Sequence, residues 1–309
     1  LDIYLEQKIQ NTVEKEPVIK EKVAFIVNPK SGTKSKRELP DMILNTMDSE
    51  RYDVEIVYTE FAGHAPLLTD ELVKKGFSRI VAVGGDGTVN EVARALTEKS
   101  SALGIIPCGS GNGLARFLGV PLKAKEAIDL INNGSINQID YGLINNEAFF
   151  CTCGVGFDAH IGNKFANAKN RGFITYIKET ISSFFSYKAK KYKVKVDGEK
   201  VKTKAFLITI ANAGQWGNDV YIAPKADIQD GLLDVCIVSR FPKYKALGLG
   251  IKIFSRTIDQ SKFVTTIKGK SVTIKRKKKG EVHLDGEPAI MGKKLKIEIV
   301  PKGLNVIVP

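Results

Sequence analysis

Three short glycine-rich breaks carry the residues of this chain that could do chemistry. Gly84-Gly85-Asp86-Gly87-Thr88 follows the apolar stretch Ile80–Val83 and precedes a helix-like stretch. Glycines let a backbone approach a ligand closely, and a helix start offers free N–H groups and a positive dipole end to phosphate. Asp86 needs a reason to be there, because a carboxylate beside phosphates repels them unless a metal or a proton lies between. Coordination of Mg²⁺, or removal of a proton from an acceptor hydroxyl, would each supply one. The break that follows it in the chain, Pro107-Cys108-Gly109-Ser110-Gly111-Asn112-Gly113, offers a hydroxyl, an amide and another run of backbone donors. The break that precedes it, Asn28-Pro29-Lys30-Ser31-Gly32, has the same character. None is a G-x-x-x-x-G-K-[ST] phosphate loop. A solvated glycine turn is the plain reading of any one of them, and three together argue against it.

The elements that must position these turns alternate. Strand-like stretches at Val23–Val27, Val54–Tyr58, Ile80–Val83 and Leu103–Ile106 are separated by helix-like stretches at Lys36–Met47, His64–Lys75 and Val89–Thr97. That alternation predicts a parallel sheet with crossover helices, whose ligands bind at the strands' carboxyl ends, where all three breaks fall. After about Gly134 the pattern turns to strands: Gln138–Leu143, Phe149–Val155, Tyr192–Val196, Lys204–Ala211, Leu232–Val238, Ser271–Lys275, Glu281–Leu284 and Leu295–Val300. Asp197-Gly198 between two alternating runs predicts a tight hairpin. Helical interruptions are expected at Thr175–Tyr187 and Lys245–Phe254. The expected organisation is an extension over residues 1–22, an α/β domain over 23–134, and a mainly antiparallel, β-rich domain over 135–309.

Composition narrows the field. The 309 residues are 43% hydrophobic and 26% charged, which excludes disordered and coiled-coil chains. No apolar run approaches the ~20 residues of a membrane span, and residues 1–22 lack the apolar segment of a secretory signal. Four cysteines and three scattered histidines offer neither a disulfide framework nor zinc spacing, so a reducing cytosolic compartment is the default. Lys and Arg number 47 against 34 Asp and Glu, a net charge of +13, which draws the chain toward anionic partners. The densest run, Lys275-Arg276-Lys277-Lys278-Lys279, reads either as a solvated hairpin tip or as a patch for anionic lipid headgroups. Without interleaved aromatics it does not argue for nucleic acid.

The three breaks in this order resemble the catalytic domain shared by diacylglycerol, sphingosine and ceramide kinases. Gly154-Val-Gly-Phe-Asp158-Ala159, Asp230-Gly231-Leu232-Leu233-Asp234 and Leu284-Asp285-Gly286-Glu287 extend the resemblance over about Val23 to Val308. It implies a nucleotide-binding α/β domain followed by a β-rich lipid domain, with ATP and Mg²⁺ as cofactors and a long-chain lipid as acceptor. ATP contacts carried over are Asn28, Pro29, Ser31, Gly32, Thr59, Gly84, Gly85, Asp86, Gly87, Thr88, Asn90, Gly109, Ser110 and Asn112; Arg116 and Arg171 read either as phosphate clamps at the same site or as surface arginines. Asp86, Asp285 and Glu287 are the catalytic acids implied, with the general base open between Asp86 and Glu287. Metal contacts implied are Asp86, Asp285 and Asp230. The acids Asp227 and Asp230 match a structural Mg²⁺ region of some bacterial members, where a doubled Asp before the glycine is common and here is single. Asp158 is the substrate-side carboxylate. The stripe Phe173, Ile177, Ile181 and Phe184, with Tyr176 and Phe185 beside it, reads as core or as a lipid-facing lid.

NAD kinases share the Gly84–Thr88 turn but do not resemble this chain at Asn28–Gly32, Pro107–Asn112 or Leu284–Glu287. A non-catalytic basic lipid-binding protein would be expected to have lost Asp86, Asp285 and Glu287. The third turn, Gly109–Ala115, is closer in form to sphingosine and ceramide kinases, so a sphingoid base or ceramide is the expected acceptor and diacylglycerol the alternative. The expected setting is peripheral to an anionic membrane, with a homodimer left open.

Overall fold

A computed structural model describes residues 19–32, 37–166, 180 and 182–309. The first half builds a parallel sheet from β1 (Glu21–Val27), β2 (Tyr52–Tyr58), β3 (Arg79–Gly84) and β4 (Ala102–Pro107), in the order β2-β1-β3-β4. Every residue of β3 and β4 is buried, as central strands covered on both faces must be, and apart from Arg79 at the start of β3 their sequences are correspondingly apolar. Crossover helices α1 (Leu39–Thr46), α2 (His64–Lys74) and α3 (Asp86–Leu96) join them, and α4 (Gly113–Phe117) and α5 (Ala124–Asn133) follow β4. Helix α3 begins at Asp86, three residues earlier than its periodicity predicts. Gly85 and Gly87 read locally as turn residues, yet Asp86 stands in the first helical turn.

The second half is antiparallel. Its elements are β5 (Ser135–Ile144), β6 (Glu147–Phe149), β7 (Thr152–Gly156), α6 (Phe157–Ala166), β8 (Lys190–Val196), β9 (Glu199–Ala211), β10 (Leu233–Ser239), α7 (Ala246–Phe254), β11 (Val264–Gly269), β12 (Ser271–Lys275), β13 (Gly280–Leu284), β14 (Glu287–Met291) and β15 (Lys294–Val308). The Asp197-Gly198 hairpin forms between β8 and β9 as expected, with both residues at positive φ, and Asp285-Gly286 makes the same kind of turn between β13 and β14. Strand β15 runs well past its expected end at Val300. A register shift between Val300 and Leu304 carries it around Pro301 and Gly303. Beyond that shift Val306 bridges Leu103 of β4, and Leu304, Val306, Ile307 and Val308 enter the core of the parallel half. One sheet therefore runs continuously through both halves. The C-terminal strand fixes the second half to the first by backbone hydrogen bonds and shared apolar burial rather than by a linker.

A second core fills the antiparallel half between β7, β8, β9, β10, β12, β13 and β15. A third, aromatic one lies beneath α6 and α7, where Phe157, Phe184, Phe206, Phe241 and Phe263 contact one another in sequence. Phe184 thus belongs to packing and Phe185 is exposed, while Phe173, Tyr176, Ile177 and Ile181 lie outside the described residues. No helix among the described residues is long and apolar enough to cross a membrane.

Candidate active site

Strands β1, β3 and β4 end side by side, and their three turns touch. A Cβ on Gly32 would lie 2.2 Å from the Cys108 carbonyl oxygen, and one on Gly109 would lie 2.8 Å from the Gly85 Cα. Glycine is needed at both positions because backbone meets backbone there. Gly32 also has φ +76°, a conformation that side chains disfavour. Side chains complete the joins. Asn28 Nδ2 donates to Thr88 Oγ1 (3.0 Å), tying the first turn to α3, while Ser31 Oγ donates to the Asn28 carbonyl (3.1 Å). The Thr59 N–H donates to the Val27 carbonyl (2.9 Å), which sets Thr59 beside the first turn. Within the third turn, Asn112 and Gly109 exchange two hydrogen bonds. The result is a concave edge of backbone donors around the N-terminus of α3, whose Gly85 cap position makes no side-chain cap bond. Ser110 is exposed at its rim. One turn into the helix, Asn90 is 3% exposed and its Nδ2 has no hydrogen-bond partner among the described residues.

Asp86 is not free in this edge. Its Oδ2 accepts the Asn112 N–H (2.9 Å) and its Oδ1 the Gly113 N–H (2.7 Å), so the carboxylate caps α4 and clamps the third turn to the second. Asp86 thus has a structural task beside the role toward metal or proton that the sequence suggests. Two N–H bonds still leave each oxygen a lone pair for a cation. Asp285 is bound more completely: Oδ2 accepts the Phe150 N–H (2.8 Å), and Oδ1 those of Cys151 (2.7 Å) and Thr152 (2.8 Å). Burial nevertheless raises its pKa above the ordinary carboxyl value, against the opposing pull of those bonds. Asp285 holds the β13–β14 hairpin against the stretch leading into β7.

That hairpin delivers Glu287. A Cβ on Gly87 would lie 3.3 Å from Glu287 Oε1, so the carboxylate of the second half rests on the first turn of α3. Its other oxygen faces Arg94 Nη2 at 3.6 Å, while Arg94 Nε donates to the Ala148 carbonyl. Desolvation raises the Glu287 pKa first of all, Arg94 lowers it, and Asp285 and Glu91 raise it. Glu287 is thus a carboxylate at a glycine-rich anion cradle with an affinity for protons above the usual.

Other expected residues have other occupations. Arg116 donates Nε to the Gly111 carbonyl (3.2 Å) and pairs through Nη1 with Asp219 (2.9 Å), so it braces the third turn from behind. Arg171 lies outside the described residues. Asp158, on the first turn of α6, has a side chain only 6% exposed; Oδ2 accepts from Thr209 Oγ1 (2.7 Å) and lies 3.1 Å from His283 Nε2, while Oδ1 accepts the Ala159 N–H (2.8 Å). Asp230 does not join Asp86 and Asp285. It accepts the Leu232 N–H and pairs with Lys268 (2.7 Å), which also reaches buried Asp234 (3.2 Å), so an ammonium already occupies the region matched to a structural metal. Asp227 accepts the Gln229 N–H. Among the described residues no three His, Cys, Asp or Glu side chains form a metal cluster. In the basic run, Arg276 points inward and donates to the carbonyls of Gly280, Glu281, Met291 and Gly292, leaving Lys277–Lys279 as the exposed tip.

Sequence reasoning missed Arg94 and His283. Arg94 stands seven residues after Gly87, on one helical face with it, a spacing that could have flagged it. His283 immediately precedes the Leu284–Glu287 motif and faces Asp158 only because β13 pairs with β7.

Comparison with known proteins agrees with this geometry. Residues 22–144 match the diacylglycerol kinase catalytic domain, and residues 151–308 the YegS C-terminal NAD kinase beta sandwich-like domain. The chain belongs to this family of lipid kinases. A YegS-like lipid kinase of Pseudomonas aeruginosa is 30% identical, over 80% of this chain and 82% of its own length. A Bacillus subtilis protein named diacylglycerol kinase is 25% identical, over 85% of this chain and 88% of its own. The crystal structure of a Bacillus anthracis protein described as a diacylglycerol kinase superposes with a TM-score of 0.76 at 26% identity, covering 94% of this chain and 97% of that one. As a member of a kinase family, the chain uses ATP. The parallel α/β half of this lipid kinase lies within the catalytic-domain match, which also takes in β5, and the rest of the antiparallel half falls mostly in the second match.

Proposed function

We propose that this lipid kinase transfers the γ-phosphoryl group of ATP to the primary hydroxyl of a diacylglycerol, with Glu287 as general base. The observation that carries the reading is the delivery of Glu287 onto Gly87. It puts a proton acceptor of raised pKa beside the turn whose backbone donors suit phosphates, so one carboxylate faces both reactants. Of the two candidate bases, Asp86 has an N–H bond on each oxygen and Glu287 has none to backbone among the described residues. The residues fit Mg²⁺, which is held by one or two carboxylates and by substrate phosphates: Asp86 would hold it through its remaining lone pairs. Bound there, the ion would neutralise charge developing on the phosphates.

The acceptor is argued from Asp158. A sphingoid base brings an ammonium that needs a carboxylate inside the cleft, since an unpaired buried charge costs several kcal/mol. Asp158 is the carboxylate in question, and it is buried and shared among Thr209, His283 and its own helix N-terminus. A neutral glycerol headgroup makes no such demand. The form of the Gly109–Ala115 turn favours a sphingoid base or ceramide as the second reading. Phosphorylation of dioleoylglycerol, sphingosine and ceramide side by side with labelled ATP tests both. Faster turnover of dioleoylglycerol is expected; preference for sphingosine overturns the acceptor, and labelling of no lipid overturns the whole reading.

A further inference from the structure

Helix α7 presents an apolar stripe to solvent. Tyr244, Leu247, Ile251 and Phe254 recur at intervals of three and four residues and are 79%, 78%, 60% and 59% exposed, while Leu249 and Ile253 on the opposite face pack into the aromatic core. Phe185, 63% exposed, joins them: the Lys243 ammonium hydrogen-bonds to its carbonyl and lies over its ring. Scattered apolar side chains on a surface need no explanation, but five large ones gathered on one short helix and its neighbour do.

The charges around the stripe identify what covers it. Between Asp234 and Asp259 the chain carries Arg240, Lys243, Lys245, Lys252 and Arg256 and not one acid. Arg256 is engaged with Tyr221 and Asp219; Lys243, Lys245 and Lys252 border the stripe itself. A protein partner would meet this apolar stripe with its own, but a border in which the chain from Arg240 to Arg256 supplies cations and no acid, with Asp219 taken up by Arg116 and Arg256, asks for an anionic plane. Apolar side chains on one face with lysines along its edges are the pattern of a helix lying in a membrane interface, the rings and aliphatic chains among the acyl groups and the ammonium groups at the headgroups.

We propose that α7, with Phe185 and Lys243, is the surface by which the protein docks on an anionic lipid bilayer, and that the Lys277–Lys279 tip is not. The tip has lost Arg276 to internal carbonyls, whereas the α7 face joins charge to apolar insertion. The proposal rests on the lipid-kinase reading for why a bilayer should be approached. The aromatic series running from Phe241, just before α7, through Phe206 to Phe157 ends one residue from Asp158.

The test is cosedimentation with vesicles that contain no acceptor: phosphatidylcholine alone, and phosphatidylcholine with phosphatidylglycerol in equal parts. Wild type should bind the anionic vesicles and not the neutral ones. At about fivefold per surface charge, the triple substitution Lys243→Gln, Lys245→Gln, Lys252→Gln should weaken binding by ~10²-fold at low salt. Replacing Leu247, Ile251 and Phe254 by Ser should weaken it at all salt concentrations, and replacing Lys277, Lys278 and Lys279 by Gln should change it less than about threefold. Thermal melting checks that each variant is folded. Equal binding by wild type and the α7 variants overturns the proposal. So does a wild-type dimer in sedimentation velocity that the Ser variant dissolves, since a second copy would then cover the stripe. Failure to phosphorylate any lipid, with vesicle binding as expected, would remove the acceptor reading and leave the docking face standing.

Discussion

Replacing Glu287 with Gln separates a chemical role from a structural one. The substitution keeps the shape and removes the proton acceptor. General-base catalysis contributes ~10²- to 10⁴-fold, or about 3–5 kcal/mol of barrier. Among the described residues the one ion pair lost is with Arg94 at 3.6 Å, between side chains 49% and 35% exposed. Such a pair is worth at most ~1 kcal/mol, no more than about fivefold in rate. A fall in kcat beyond tenfold therefore cannot come from the pair and must come from the proton. Stability should move the other way. Burial raises the Glu287 pKa, so between its ordinary and raised values the folded state binds more protons than the unfolded state. Whatever stability this gives is full below the unfolded pKa and lost as pH rises through the folded one. At neutral pH the carboxylate is a liability, and Gln should leave Tm unchanged or raise it. Steady-state kinetics on detergent-dispersed diacylglycerol at saturating ATP should show kcat down at least 10²-fold, KM for ATP within a few-fold, and no acidic limb in the pH profile of kcat/KM. A folded Glu287→Gln protein within about threefold of wild type would refute the assignment and return the role of base to Asp86.

Arg94→Gln removes the cation that lowers the Glu287 pKa, so the acidic limb should move to higher pH; a limb that stays in place belongs to another group. Asp158→Asn should destabilise the fold by ~1–3 kcal/mol in denaturant titrations, because Thr209 and His283 lose a buried charged partner. Unchanged stability with a KM rise confined to sphingosine would restore Asp158 as an ammonium ligand. Gly109→Ala sets a Cβ 2.8 Å from the Gly85 Cα and should raise KM for ATP at least tenfold. Gly248→Ala, in open space on α7, should gain up to ~1 kcal/mol and leave that KM alone. Equal effects of the two would mean that the meeting of the turns does not shape the ATP site.

The parallel half was legible because its signals are local: apolar runs, helical spacing and glycine breaks act within a few residues of themselves. Two of the elements that escaped, β14 and the far part of β15, have local chemistry that argues against them, an obstacle that α5, α6 and β11 do not share. Strand β14 carries Pro288, which a central strand could not hold, yet β14 stands at the end of the sheet, where a missing N–H is tolerated. Strand β15 passes Pro301 and Gly303, which read as a stop, because a register shift absorbs them and β4 and β5 await the rest.

The acids show where sequence falls short, since a carboxylate's task is set by what reaches it. By motif, Asp86, Asp285 and Asp230 read as metal contacts, Asp86 and Glu287 as candidate bases, and Asp158 as the substrate-side carboxylate. Tertiary structure sorts them by their partners. Asp285 is bound to three N–H groups of the stretch before β7, Asp158 to Thr209 and His283 across β9 and β13, and Asp230 to Lys268. Asp86 is divided between two N–H groups from a turn 26 and 27 residues away. Each of these partners lies far off in sequence, and none leaves a local trace. Loss of water raises the pKa of both Asp285 and Glu287, but among the described residues Glu287 alone of the five accepts no backbone N–H, and it rests on the first turn of α3. On the reading proposed above, this loose tethering beside Gly87 is what lets Glu287 reach a substrate's proton, while Asp285 fixes the hairpin that delivers it.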